Sequence, residues 1–444
     1  MQIRTLHNRL SKALVLENPH STLDQELESF GIEVERLPES ATRDVDLVCR
    51  RLQEGGHDLL FKRSRFPVDE RVLEASPHLA AVMLCCIGDD SVDKLACARH
   101  GVMVMNDPIS NGRSVAEMVI GEMICLARRI FIAHEAGREH LWTKESSGRF
   151  EVAGKHIAVV GLGNIGRQVA QLAASLGMRV LFYDQSDVAR EVGSALGWTS
   201  CGSIDEAFRK ADVVTLHLSA EDSDGKKNVR VITAEHFAQL AAECDKKSPR
   251  VFINAARDFL YDPEDLKQAL ADGTIRAAAV DVFPDEPGSR EDGWHNPYAD
   301  TNLITTTPHI GAATEDAQPR IAVHMAMSAH MLDQRGAVRD TVFRPKLQIS
   351  LDTRPPYWAL SVIHSDRRGT KKAISDAIFE SGANNIDSSH RDLPRYGIAY
   401  DISAMDKPLS DEEIQHMIRK ACEISDDPYA VRSVRQFHVD EHHL

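Results

Sequence analysis

Ile157-Ala158-Val159-Val160-Gly161-Leu162-Gly163-Asn164-Ile165-Gly166 decides the fold. Four apolar residues make a buried strand, glycines follow at once, and residues 168–176 carry apolar side chains at helical spacing. In that context each glycine has a task. Gly161 permits the tight turn, Gly163 lets the backbone approach a pyrophosphate, and Gly166 lets helix and strand pack closely. The helix start then offers unpaired N–H groups to phosphate. A second strand, 179–183, runs into Asp184, about 20 residues past the glycines, where an acid bonds ribose hydroxyls and selects NAD over NADP.

Outward from this motif the pattern repeats. Apolar runs at 213–218, 251–254, 277–283 and 303–306 predict further parallel strands, with helical segments between them. Upstream, runs at 13–16, 32–37, 58–61, 80–86 and 102–105 predict a smaller doubly wound unit, and 113 to about 140 reads as one long helix bridging the two. Downstream, a helix runs from about 314 to 332, and Pro345 and Pro355-Pro356 mark a linker. Residues 357–439 then follow the order βαββαβ. The expected chain is α/β throughout. A discontinuous flavodoxin-like substrate-binding domain (1–110, completed by about 314–345) precedes a Rossmann NAD-binding domain (111–313) and a ferredoxin-like C-terminal domain (346–444).

Composition narrows the function. In 444 residues, 67 acidic against 52 basic side chains give a formal charge of -15, which repels nucleic-acid backbones and anionic lipid headgroups alike. No nucleic-acid or membrane partner is expected, and no apolar run is long enough for a transmembrane helix. Eight scattered cysteines without Cys-x-x-Cys spacing read as free thiols of a cytoplasmic enzyme. No metal site is assigned. Cys85 and Cys86 are adjacent in a strand-like run and point to opposite faces, and His438, His442 and His443 read as a frayed tail.

Three strand ends carry groups suited to moving a hydride and a proton. His309, in Thr307-Pro308-His309-Ile310-Gly311, follows the 303–306 strand, and imidazole titrates where a proton must be exchanged near neutral pH. Glu286 follows the 277–283 strand, and a carboxylate beside imidazole orients the ring and favours its charged form. Arg257 follows the 251–254 strand and can clamp a carboxylate with two parallel bonds.

These residues resemble the D-isomer-specific 2-hydroxyacid dehydrogenases through Gly161–Gly166, Ile253-Asn254-Ala255-Ala256-Arg257, Asp281-Val282-Phe283 to Glu286-Pro287, and Thr307 to Gly311. The resemblance implies that Arg257, Glu286 and His309 are catalytic. It implies cofactor contacts at Gly161, Gly163, Asn164, Ile165, Gly166, Asp184, Ala255, Ala256, Arg257, Asp281, His309, Ile310, Gly311 and Ala312. Cys86-Ile87-Gly88 and the run from Asn106 through Asn111 to Glu117 look most like the branch acting on D-3-phosphoglycerate. Arg63-Ser64-Arg65 looks like that branch's basic substrate loop, so Arg63, Ser64, Arg65, Gly88 and Asn111 are the implied substrate contacts. The C-terminal domain resembles an ACT domain, which implies an amino-acid effector and a homodimer or homotetramer. The family's loop there carries Asn and then Arg-Pro-Gly, whereas this chain reads His364-Ser365-Asp366-Arg367-Arg368-Gly369. The usual Gly after the catalytic Arg is replaced by Asp258, and Asp89-Asp90 add acid to a substrate-side loop.

Overall fold

Strands apolar on both faces are stable only in a sheet covered by helices on both sides. After β1 (Arg4–His7), strands β2 (Lys12–Val15), β3 (Glu33–Arg36), β4 (Leu59–Lys62), β5 (Ala81–Leu84) and β6 (Met103–Asn106) form a parallel sheet in the order β3-β2-β4-β5-β6. This is the flavodoxin-like order, and β4, β5 and β6 are buried at every position. The helix Ala317–Arg335 sends Ile321, Met325 and Ala329 into the same core as Leu14, Phe61 and Val82. The structure, a computed structural model, describes residues 3–7, 9–222, 225–287, 292–344 and 348–440. Pro345, His442 and His443 lie outside the described residues. The chain divides into two units, Met1–Pro108 with Gln318–Leu444, and Ile109–Ala317.

The second unit holds β7 (His156–Val160), β8 (Arg179–Tyr183), β9 (Thr199–Ser200), β10 (Val213–Leu216), β11 (Val251–Asn254), β12 (Ala277–Val280) and β13 (Ile304–Thr306). They form one parallel sheet in the order β13-β12-β11-β10-β7-β8-β9. Strand order reverses between β7 and β10, the switch point at which doubly wound sheets bind ligands. Three details depart from the sequence reading. The edge strand β9 is two exposed residues and carries no apolar run. Strand β12 stops at Val280, because Asp281 turns its carboxylate to the backbone of a neighbouring loop. The single helix expected over 113–140 is two helices, Gly112–Arg128 and Ile130–Arg138. Arg129 between them is left-handed at φ 55°, a change of direction that leaves the apolar spacing on either side intact.

The C-terminal part of the first unit contains β14 (Tyr357–Ser365), β15 (Asn385–Leu393), β16 (Ile398–Met405) and β17 (Val431–Val439), with helices Thr370–Glu380 and Asp411–Ser425. Its sheet order is β1-β17-β14-β16-β15. The ferredoxin-like expectation holds, with one addition: β1 pairs in parallel with β17, Arg4 opposite Ser433, so the N-terminal strand is not part of the flavodoxin-like sheet. A charged Arg4 reads as surface in the sequence. In the structure it is buried and donates through Nε to His100 O at 2.8 Å and through Nη2 to Leu73 O at 2.7 Å. Arg435 is buried likewise. It donates to Leu332 O at 2.8 Å and to Asp333 Oδ1 at 3.0 Å, and lies 4.0 Å over the Phe437 ring. Burial pushes its guanidinium down to about 10, which leaves it charged at neutral pH. Tyr400 donates to Gly336 O at 2.7 Å. Through these bonds and a shared apolar core the C-terminal sheet is fused to the flavodoxin-like sheet. No helix of the described residues is long and apolar enough to cross a membrane.

Candidate active site

The glycine loop leaves β7 and enters the helix Asn164–Ser175 through Gly163. Gly161 is left-handed at φ 97°, and a Cβ there would lie 2.6 Å from His217 O. A Cβ on Gly166 would lie 2.1 Å from Gly161 O, so packing of helix on strand requires both glycines. Gly163 differs. A Cβ on it meets no protein atom within 4 Å, so internal packing does not call for glycine, and the loop's outer side stays open to a ligand. Asp184, just past β8, accepts from Leu162 N at 2.7 Å and from Ser186 N at 2.8 Å. It braces the glycine loop. With the N–H groups of Asn164, Ile165 and Gly166 at a helix start, these residues fit a dinucleotide.

The candidate catalytic groups Arg257, Glu286 and His309 follow the ends of β11, β12 and β13. His309 is left-handed at φ 52°, and its Nδ1 lies 2.7 Å from Glu286 Oε2. Glu286 Oε1 accepts from Phe283 N at 3.1 Å, which fixes the carboxylate plane. The bond to Glu286 raises the His309 imidazole above its ordinary value, against partial desolvation. Burial pushes the Glu286 carboxyl up, but the bond to His309, the imidazolium charge, the Phe283 N–H and nearby Arg257 outweigh it and hold it low. A carboxylate on Nδ1 obliges that nitrogen to carry hydrogen, so Nε2 is left to exchange a proton.

Sequence reasoning underrated the groups that hold this loop. Asp281 is buried, and both its oxygens are engaged: Oδ1 by Thr307 Oγ1 at 2.7 Å and Ile310 N at 2.9 Å, Oδ2 by Gly311 N at 2.9 Å. Read from the sequence as a cofactor contact, it also positions the turn that carries His309. Asn254 acts likewise under Arg257, accepting from Ala256 N at 3.0 Å and donating to Arg257 O at 2.9 Å. Ala255, Ala256, Ile310 and Ala312 lie on these same exits, with Ala256 buried and Ile310 exposed. Asp258 begins a single 3-10 turn beside Arg257; desolvation raises its carboxyl, as does the charge of Glu286. His217, at the end of β10, was missed as well. Desolvation pushes its ring down to about 3, the ring bonds Thr215 Oγ1 at 2.9 Å, and its backbone carbonyl packs against Gly161. A cavity of about 330 Å³ in this unit, lined by Lys155, His156, Lys210 and Asp212, lies at the opposite edge of the sheet, where β7 and β10 begin.

In the first unit, residues 63–66 form a loop held by one carboxylate. Glu17, left-handed at φ 61°, accepts from Arg63 N at 2.8 Å, Arg65 N at 2.7 Å and Phe66 N at 2.9 Å. No sequence pattern signals this residue, because it acts across 46 positions. Arg65 is paired with Glu39 at 3.6 Å, whereas the Arg63 guanidinium makes no hydrogen bond or ion pair within the described residues. Ser64 is exposed, and Gly88 O accepts from Cys86 Sγ. Asp89, expected to repel an anion, is paired with Lys94 at 3.1 Å. In the second unit Asn111 is buried, and its Oδ1 has no partner among the described residues.

The family model for the D-isomer specific 2-hydroxyacid dehydrogenase, NAD binding domain, matches residues 120–311. A D-3-phosphoglycerate dehydrogenase of Escherichia coli is 32% identical over 409 residues, 91% of this chain and 94% of that one. The Haemophilus influenzae enzyme of the same name is 35% identical over 322 residues, 72% of this chain and 75% of its own. Among solved structures, a glyoxylate reductase from Paecilomyes thermophila superposes with a TM-score of 0.63 at 22% identity, covering 75% of this chain and 98% of that one; it shares the fold. The chain belongs to the family of NAD-dependent, D-isomer-specific 2-hydroxyacid dehydrogenases.

Proposed function

We propose that the chain oxidises D-3-phosphoglycerate to 3-phosphohydroxypyruvate, the entry to serine synthesis. The observation that carries the reading is the His309–Glu286 pair, 2.7 Å apart, on the sheet edge that also bears the glycine loop. Bound NAD supplies the hydride acceptor for the substrate's C2. Gly161 to Gly166 and Asp184 hold it. His309 Nε2 takes the hydroxyl proton, Glu286 keeps Nδ1 protonated and stabilises the imidazolium, and Arg257 clamps the substrate carboxylate. Arg63 is the phosphate contact: a planar guanidinium with no partner among the described residues, on a loop fixed by Glu17, with Arg65 adding positive field. Ser64, Gly88 and Asn111 complete the substrate contacts, the buried Asn111 Oδ1 being an acceptor in need of a donor.

The ferredoxin-like part acts as an ACT domain and takes an amino-acid effector at the 364–369 loop, with Asp366 and Arg368 altering its selectivity. Exposed Trp142, Leu141, Ile130 and Phe131, at 89%, 61%, 46% and 39%, support a homo-oligomer. Eight free cysteines fit a cytoplasmic enzyme. The test is NADH formation with D-3-phosphoglycerate, D-glycerate and D-2-hydroxyglutarate at matched concentrations. Preference for the phosphorylated substrate is expected. Equal turnover of all three, or preference for another, assigns the chain to a different 2-hydroxy acid.

A further inference from the structure

Three side chains that the proposed reaction does not use converge in the C-terminal sheet, one of them, His364, at the start of the loop proposed for the effector. His364 lies on β14, Asp401 on β16 and His390 on β15. In the ladder Asp401 stands opposite both His390 and Val362, and His364 stands opposite Ala399, so the three share one face. His364 Nε2 is 3.1 Å and His390 Nδ1 is 2.7 Å from the same atom, Asp401 Oδ2. All three ligating atoms lie within 4.8 Å of one another. His364 and Asp401 are buried, 1% and 4% exposed, and the half-buried His390 opens the group to solvent.

The outer nitrogen of each ring is already engaged. His364 Nδ1 lies 2.7 Å from Ser365 O, and His390 Nε2 lies 2.9 Å from Asp392 Oδ1. Facing acceptors, those nitrogens carry hydrogen, and a neutral imidazole has only one to give. In neutral rings the inner nitrogens then aim lone pairs at a carboxylate oxygen in a buried place, a clash that a cation at the centre resolves, as a second proton on either ring would. Outer-nitrogen bonds to a carbonyl and a carboxylate are also how metal-binding histidines are oriented.

We propose that His364, His390 and Asp401 form a divalent transition-metal site suited to Zn²⁺, with water as the fourth ligand on the His390 side. Two imidazoles and one carboxylate with an open fourth position match zinc's preferences. Tetrahedral zinc spaces its nitrogen and oxygen ligands about 3.4 Å apart, so the contacts of Asp401 Oδ2 with His364 at 3.1 Å and with His390 at 2.7 Å must both lengthen, the second more than the first, to admit it. The ion ties three strands together. No motif announces it: the residues stand 26 and 11 positions apart in sequence, and only strand pairing unites them.

The test uses the full chain, untagged, titrated with Zn²⁺ against a chromophoric chelator and with Co²⁺ by visible absorption. One tight equivalent per subunit is expected, with the cobalt spectrum of a four-coordinate nitrogen and oxygen site and a Tm raised by Zn²⁺. His390→Gln and Asp401→Asn should each lose that equivalent while circular dichroism and NADH formation are retained. Asp392→Asn, which loosens only the His390 ring, should weaken it ten- to a hundredfold. Should one variant fail to fold, the other two still decide. Absence of a saturable equivalent in the native chain, or an equivalent that persists in the folded variants, as binding at cysteines or the terminal histidines would, overturns the proposal.

Discussion

Replacing Glu286 by Gln separates orientation from charge in the His309 pair. Gln keeps the acceptor for Phe283 N–H through Oε1 but presents an amide NH₂ where Oε2 received the His309 Nδ1 hydrogen. Nδ1 must then accept, and the ring proton moves to Nε2, the atom that has to take the substrate's proton. A hydrogen bond to a charged group contributes about 1.5–3 kcal/mol. The two side chains are 52% and 37% exposed, so solvent screening places this one near the lower figure, which is about tenfold in kcat/KM. The misplaced proton adds to that loss. Because the bond to Glu286 is what raises His309, the rise of the oxidation rate with pH, which follows deprotonation of His309, should also move to lower pH. The assay is initial NADH formation at saturating NAD across the neutral and alkaline range, with NADH binding as a control on the fold. A variant whose rate and pH profile match the native chain refutes the assigned roles.

Other outcomes follow from the same geometry. Arg63→Ala should raise KM for the phosphorylated substrate far more than for D-glycerate, and equal effects would remove Arg63 from the phosphate site. Glu17→Gln removes the charge that fixes the 63–66 loop, and steady-state kinetics should show a KM several-fold higher, by about 1 kcal/mol, with kcat nearly unchanged. Gly166→Ala forces a Cβ against Gly161 O; overpacking of this kind costs about 1–3 kcal/mol, and both NADH affinity and Tm should fall. Glu122 is buried with Oε1 unpartnered among the described residues, and desolvation, followed by the charge of Asp281, pushes its carboxyl up to about 8. The folded state therefore holds a proton that the unfolded chain releases near 4.5, and native stability falls as pH rises from there to about 8. Glu122→Gln should flatten that part of the Tm profile and melt higher than the native chain at alkaline pH.

The sequence was most legible where one local pattern determines one element. The glycine loop, the acid past β8 and the three strand exits bearing Arg257, Glu286 and His309 all follow from short runs whose chemistry is local. What stayed hidden acts at a distance. Glu17 serves a loop 46 residues away, and Asp281 serves one 29 residues on. Arg129 breaks a helix by its backbone alone, and Arg4 looks like a surface charge until its carbonyl partners are found. In each case composition is silent because the partner is set by tertiary pairing.

The parallel pairing of β1 with β17 bears on how the chain is made. Residues 109–317 are contiguous, so that unit has every strand it needs once residue 317 has been synthesised. The other unit cannot be finished then: Arg4 waits for Ser433, and the two meet only after nearly the whole polypeptide exists. Closing so long a loop adds little entropy beyond closing a moderate one. The delay, however, leaves the first half of a hydrophobic core open throughout translation. Chaperone dependence and aggregation during synthesis should therefore concentrate in the N-terminal hundred residues, and the inserted unit should be the first part of the nascent chain to resist protease.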